Sequence, residues 1–74
     1  MRLSETEEGK SYKLADMHLL GKRVATRVRD MGLVNCHFKV ITRQNNGPIL
    51  VEVRGTRLAL GRGISEKINV EEIK

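Results

Sequence analysis

Between Phe38 and Leu60 the sequence alternates apolar and polar residues with a period of two, and turn residues interrupt it twice. Phe38, Val40 and Thr42 alternate with Lys39, Ile41 and Arg43. Ile49, Val51 and Val53 alternate with Leu50, Glu52 and Arg54, and Leu58 and Leu60 continue the pattern after Arg57. Successive side chains of a strand point to opposite faces, so this pattern predicts strands with one buried face. Asn45-Asn46-Gly47-Pro48 separates the first pair with residues that tolerate turn geometry, and Gly55-Thr56 reads as a tight turn between the second pair. This spacing does not suit a helix, so the centre of the chain reads as three strands.

The flanks add a few elements. Lys10 to Asp16 alternates with Tyr12 and Leu14 on one face and reads as a first strand. Gly21 to Met31 changes period: Leu20, Val24, Val28 and Met31 recur at helical spacing and form one apolar stripe. Gly21 suits the N-cap, Leu20 can pack onto Ala25, and Gly32 suits the residue that ends the helix. Arg27 and Asp30 stand at pairing distance along it. Ile64 to Ile68 is long enough only for a helical turn, and Asn69 to Ile73 can form a closing strand.

Short strands at such spacing indicate a barrel or sandwich, and closure hides edges that a lone meander would expose. The expected fold is all-β: a barrel of about five strands with one short α-helix and a helical turn. The 74 residues form a single domain, 1–74, without repeat or linker. Tyr12 and Phe38 are the only aromatics, so the core is aliphatic. A chain this small buries only about 60% of the surface that its unfolded form exposes. Its stability is then on the order of a few kcal/mol, and a deep catalytic pocket is hard to carve from such a core. The single cysteine, Cys36, excludes an internal disulfide. The polar start does not read as a signal peptide, and no apolar run nears the roughly 18 residues that span a bilayer. A soluble cytoplasmic protein is expected.

Several segments carry a resemblance. They are Leu3-Ser4-Glu5, Arg27-Val28-Arg29-Asp30-Met31-Gly32-Leu33, Gly47-Pro48, Val51-Glu52-Val53-Arg54-Gly55, Leu58-Ala59-Leu60 and Ile68-Asn69-Val70. In this order and spacing they resemble the FeoA family across nearly the whole chain. The resemblance implies an SH3-like β-barrel. It also implies an accessory protein of ferrous iron uptake whose partner is a membrane ferrous iron transporter with a GTP-binding domain. Through that partner the protein would sit peripheral to the inner membrane. A related barrel ends some metal-dependent repressors, which implies a regulatory alternative. Three positions depart from the pattern: Asn35-Cys36 replaces a Pro-Gly turn, Ser65 replaces a small apolar residue, and Gly61 replaces a charged one.

The residues allow several chemistries. Cys36, His37 and His18 are candidate ligands for a transition metal such as Fe2+ or Zn2+. Cys36 and His37 are adjacent, however, and neighbours on an extended segment point apart. The same divergence deprives a Cys36 nucleophile of its base, so no enzyme is expected. Gly61-Arg62-Gly63 is too short for a phosphate loop. Lys22, Arg23, Arg27 and Arg29 suit phosphates, as a nucleic-acid-binding barrel would need. Single-strand binding also wants aromatic platforms, and Tyr12 and Phe38 face inward by alternation, so no nucleic acid is expected.

Docking to a protein partner remains. Leu19, Leu33, Val34, Leu58 and Leu60 exceed what one small core absorbs, so some are expected at the surface. Arg23, Arg27, Met31 and Leu33 are the predicted partner-binding residues, with the two arginines steering an acidic partner. Self-association through the same patch, or strand addition at a barrel edge, are further expectations.

Overall fold

The computed structural model describes residues 1–17, 19–34, 36–44 and 47–73. In chain order the elements are a 3-10 turn (Leu3–Glu5), β1 (Ser11–Asp16), α1 (Lys22–Asp30), β2 (His37–Arg43), β3 (Ile49–Val53), β4 (Thr56–Leu60), α2 (Arg62–Ser65) and β5 (Asn69–Glu72). The five strands form one antiparallel sheet in the order β4-β3-β2-β1-β5. The meander runs outward to β4, and the chain then returns to place β5 beside β1. This is the expected SH3-like barrel.

The core draws on every strand: Tyr12 from β1, Phe38 and Val40 from β2, Ile49, Val51 and Val53 from β3, Leu60 from β4 and Val70 from β5. The Tyr12 and Phe38 rings meet with centroids 6.4 Å apart, tilted by 32°. β3 follows the predicted alternation, with Ile49, Val51 and Val53 buried and Leu50 and Glu52 half-buried. β2 follows it only as far as Val40. The register shifts between Val40 and Thr42, and Ile41 and Thr42 are both half-buried. An extra residue in one strand breaks the period and bends the strand, which helps the sheet to curl.

The turn between β3 and β4 lies one residue earlier than the sequence suggests. Its central residues are Arg54 and Gly55, with φ of 52° and 80°, and Thr56 already pairs with Val53. Positive φ at both positions is the mark of a type I′ hairpin turn, whose twist matches that of the strands. Arginine seldom takes this conformation, so Gly55 is visible in the sequence as a turn residue while Arg54 is not. Of the Asn45-Asn46-Gly47-Pro48 turn, Asn45 and Asn46 lie outside the described residues.

The N-terminal segment is more than a polar lead-in. Leu3 and Thr6 are fully buried. The Leu3 N–H donates to the Ile68 carbonyl (2.9 Å), and the Val70 N–H donates to the Met1 carbonyl (2.7 Å). Together with a bridge from Arg2 to Asn69, these bonds cover the outer edge of β5. The Thr6 hydroxyl donates to the Leu3 carbonyl (2.7 Å), and the Glu7 N–H donates to the Tyr12 hydroxyl (2.9 Å). Ser65, polar where an apolar residue was expected, is buried with its hydroxyl donating to the Arg62 carbonyl at 3.1 Å. A buried hydroxyl with a partner avoids the desolvation cost of an orphan.

Candidate docking surface on the first helix

α1 joins β1 to β2 and lays one side on the core. Val28 is fully buried, and Leu20 and Val24 pack against the same cluster. Gly21 enters the helix with extended geometry. At the other end the Met31 N–H donates to the Arg27 carbonyl and the Gly32 N–H to the Arg29 carbonyl, each at 3.0 Å. Gly32 has φ of 87°, the left-handed conformation common just past a helix end. That reversal swings Leu33 beneath the helix into the cluster that holds Val28.

Leu33 is therefore a core residue, 1% exposed, and not the surface contact predicted for it. Met31, counted both in the helical stripe and among the predicted partner contacts, stands at the C-cap, 38% exposed, and so is at the surface rather than in the buried stripe. The apolar excess resolves along the same lines. Leu60 is buried, Leu58 packs partly against the core, Val34 is half-buried, and Leu19 is left 56% exposed.

The outward side of α1 presents Lys22, Arg23, Arg27 and Arg29, all exposed, against one carboxylate, Asp30. A shallow depression runs along Lys22, Arg23, Thr26, Arg27 and Arg29. Among the described residues none of these four cations enters an ion pair, and the expected Arg27–Asp30 pair is not formed. Cations elsewhere on the barrel do pair: Lys10 with Glu7 (3.2 Å), Lys13 with Glu71 (3.5 Å) and Arg62 with Glu66 (2.9 Å). The Lys10 ammonium is held above its usual pKa, first by the hydrogen bond it donates to Glu7 and then by the charges of Glu7 and Glu72.

Position along the helix matters as well. Arg27 and Arg29 lie in the last turn, where the helix dipole favours cations, whereas the first turn holds Lys22 and Arg23 and no acid. Cations there oppose the dipole by roughly 0.3–1 kcal/mol. The charges of Lys22 and Arg23 thus work against the dipole of the helix that carries them.

Two of the three predicted metal ligands fall among the described residues. Cys36 is half-buried and packs on the core, while His37 is exposed on β2 opposite Lys13. His18 lies outside the described residues. Among the described residues no three His, Cys, Asp or Glu side chains converge in a metal-holding set. Tyr12 and Phe38 are 1% and 3% exposed, which removes them as stacking platforms. No helix of the described residues is long and apolar enough to cross a membrane.

One feature escaped sequence reasoning altogether. A crevice of about 440 Å³ lies at the end of the barrel, lined in part by Ser4, Arg43, Gln44, Arg62 and Glu66. Arg43 is held there as its Nη1 donates to the Ser4 carbonyl at 2.6 Å. These residues come from the 3-10 turn, the end of β2 and α2. Barrel topology alone brings them together, so no local pattern announces them.

Comparison with known proteins agrees with the architecture. The FeoA domain family matches residues 1–72. A Methanocaldococcus jannaschii protein that bears the provisional name Fe(2+) transport protein A is 40% identical over 47 residues. That match takes in 62% of this chain and 56% of the archaeal protein, so the chain spans little more than half the length of that relative. The crystal structure of an iron uptake regulatory protein (FeoA) superimposes with a TM-score of 0.87 at 27% identity, covering 99% of this chain and 97% of that one. The solution structure of FeoA from Chlorobium tepidum gives a TM-score of 0.87 at 30% identity, covering 100% and 71%. The apo form of the manganese-activated repressor ScaR gives 0.84 at 27% identity, but this chain corresponds to only 35% of it.

Proposed function

The chain belongs to the FeoA family, and on that premise we propose that it serves ferrous iron uptake as a non-catalytic accessory module. Its partner is the cytoplasmic part of a membrane iron transporter with a GTP-binding domain, and α1 docks on an acidic surface there. The observation that carries this reading is the basic outer face of α1, whose four cations are unpaired among the described residues. Lys22 and Arg23 oppose the dipole of their own helix, so their placement is easier to understand as recognition than as stabilisation. Exposed Leu19 and Met31 flank the helix at its two ends and supply apolar contact.

Such a module acts by differential binding. If it binds one state of the transporter tenfold better than another, it shifts that equilibrium by about 1.4 kcal/mol. No chemistry by the module is needed. Long basic side chains also steer encounter with an acidic partner and raise the on-rate at low salt.

Calorimetric titration into the membrane-embedded transporter, and separately into its soluble GTP-binding domain, tests this. Saturable binding is expected with at least one of them. Arg23→Glu should weaken it by roughly tenfold, or about 1.4 kcal/mol. Absence of binding to both folded partners, or equal binding by Arg23→Glu, contradicts the reading.

A further inference from the structure

The sheet has two outer edges, and only one of them is covered. Met1 to Leu3 lies along β5, whereas β4 ends the sheet on the other side. In the β3–β4 hairpin Val53 pairs with Thr56 next to the turn, Val51 with Leu58 and Ile49 with Leu60. Antiparallel pairs alternate between bonded and non-bonded, so Thr56, Leu58 and Leu60 aim their main-chain groups at β3. Arg57 and Ala59 aim theirs outward. Among the described residues no backbone hydrogen bond beyond the strand ladders takes up those groups.

Natural proteins usually blunt such an edge with proline, a bulge or charged side chains. β4 has neither proline nor bulge. Its sequence is Thr-Arg-Leu-Ala-Leu, and its register with β3 is uninterrupted. Its one charge, Arg57, lies 3.9 Å from Glu52 of β3. Leu58, on the inward face, is only half-buried.

We propose that β4 pairs antiparallel with β4 of a second copy of this chain, centred on Leu58. In that register Arg57 of each copy faces Ala59 of the other. Each facing pair exchanges both main-chain hydrogen bonds, because both residues present outward groups. Every Arg57 stands opposite a small neutral side chain and keeps Glu52 beside it. The two Leu58 side chains meet on the inward face and cover each other's remaining exposure. Centring the pair on Arg57 instead would set two arginines directly opposite, which is unfavourable. The strand is thus self-complementary, although each chain carries a net charge of +5.

Sedimentation velocity over a concentration series, combined with amide hydrogen exchange on the wild-type protein, tests the pairing. The mass should rise from monomer toward dimer with concentration. The Arg57 and Ala59 amides should exchange more slowly as it does. Added salt should strengthen the dimer by screening the repulsion between like-charged copies. Ala59→Pro removes an outward N–H that the β3–β4 ladder does not use, so the variant should fold and stay monomeric. Should it fail to fold, the wild-type exchange data still decide. A protein that is monomeric at every concentration overturns the proposal. So does a folded Ala59→Pro that dimerises equally well, or protection at Arg57 and Ala59 that appears only when transporter is added.

Discussion

At Met31 and Leu33, two residues apart, the chain passes from solvent to core through the positive φ of Gly32. Periodicity counted Met31 into the buried stripe and left Leu33 free, because a helical count cannot anticipate where the chain reverses. Stability should report the difference. Leu33→Ala should cost about 2–5 kcal/mol in chemical denaturation, a large part of what so small a domain has. Met31→Ala should stay within roughly 0.5 kcal/mol, as exposed positions do. The reverse order would place the helix end wrongly. Arg23 offers a sharper case, since its two effects have opposite sign. Arg23→Glu should raise stability by about 0.3–1 kcal/mol, because an acid in the first turn suits the dipole, while it weakens docking. A loss of both would make Arg23 a structural residue.

Among the elements, β3 was the most legible. It is buried on alternate residues, and Ile49, Val51 and Val53 say so directly. β2 was legible for half its length, until the irregularity between Val40 and Thr42 broke the period that the reading relied on. The β3–β4 turn was displaced by one residue because Arg54 adopts a conformation that its side chain does not favour. That strain is testable. Arg54→Asn restores a residue suited to the left-handed region and should stabilise by up to about 1 kcal/mol. Gly55→Ala, at φ of 80°, should destabilise by more than about 1 kcal/mol. Thermal melts of the two variants check both signs. The covered edge of β5 was not legible at all, since the bonds between Met1 and Val70 join opposite ends of the chain.

For the whole molecule, the division of charge separates the two surfaces. Ion pairs form on the strands, on α2 and in the loop before β1, while the basic side of α1 is left without them among the described residues. Docking through α1 should therefore weaken as salt rises, and pairing through β4 should strengthen. Titrations at low and high ionic strength distinguish the two contacts, and a common direction would deny the separation. The candidate site was half legible for a related reason. Arg23 and Arg27 share a helix, so spacing displays them, whereas Arg43 and Arg62 meet Ser4 only through the topology of the sheet.

Amide chemical shifts of the labelled protein, followed while the transporter's cytoplasmic part is added, locate the contact residue by residue. Docking through α1 should concentrate the shifts in Leu19 to Met31 and leave β4 and the crevice around Arg43 unperturbed. Shifts centred on Arg57 and Ala59 or on Arg43 and Arg62, with α1 silent, would contradict it.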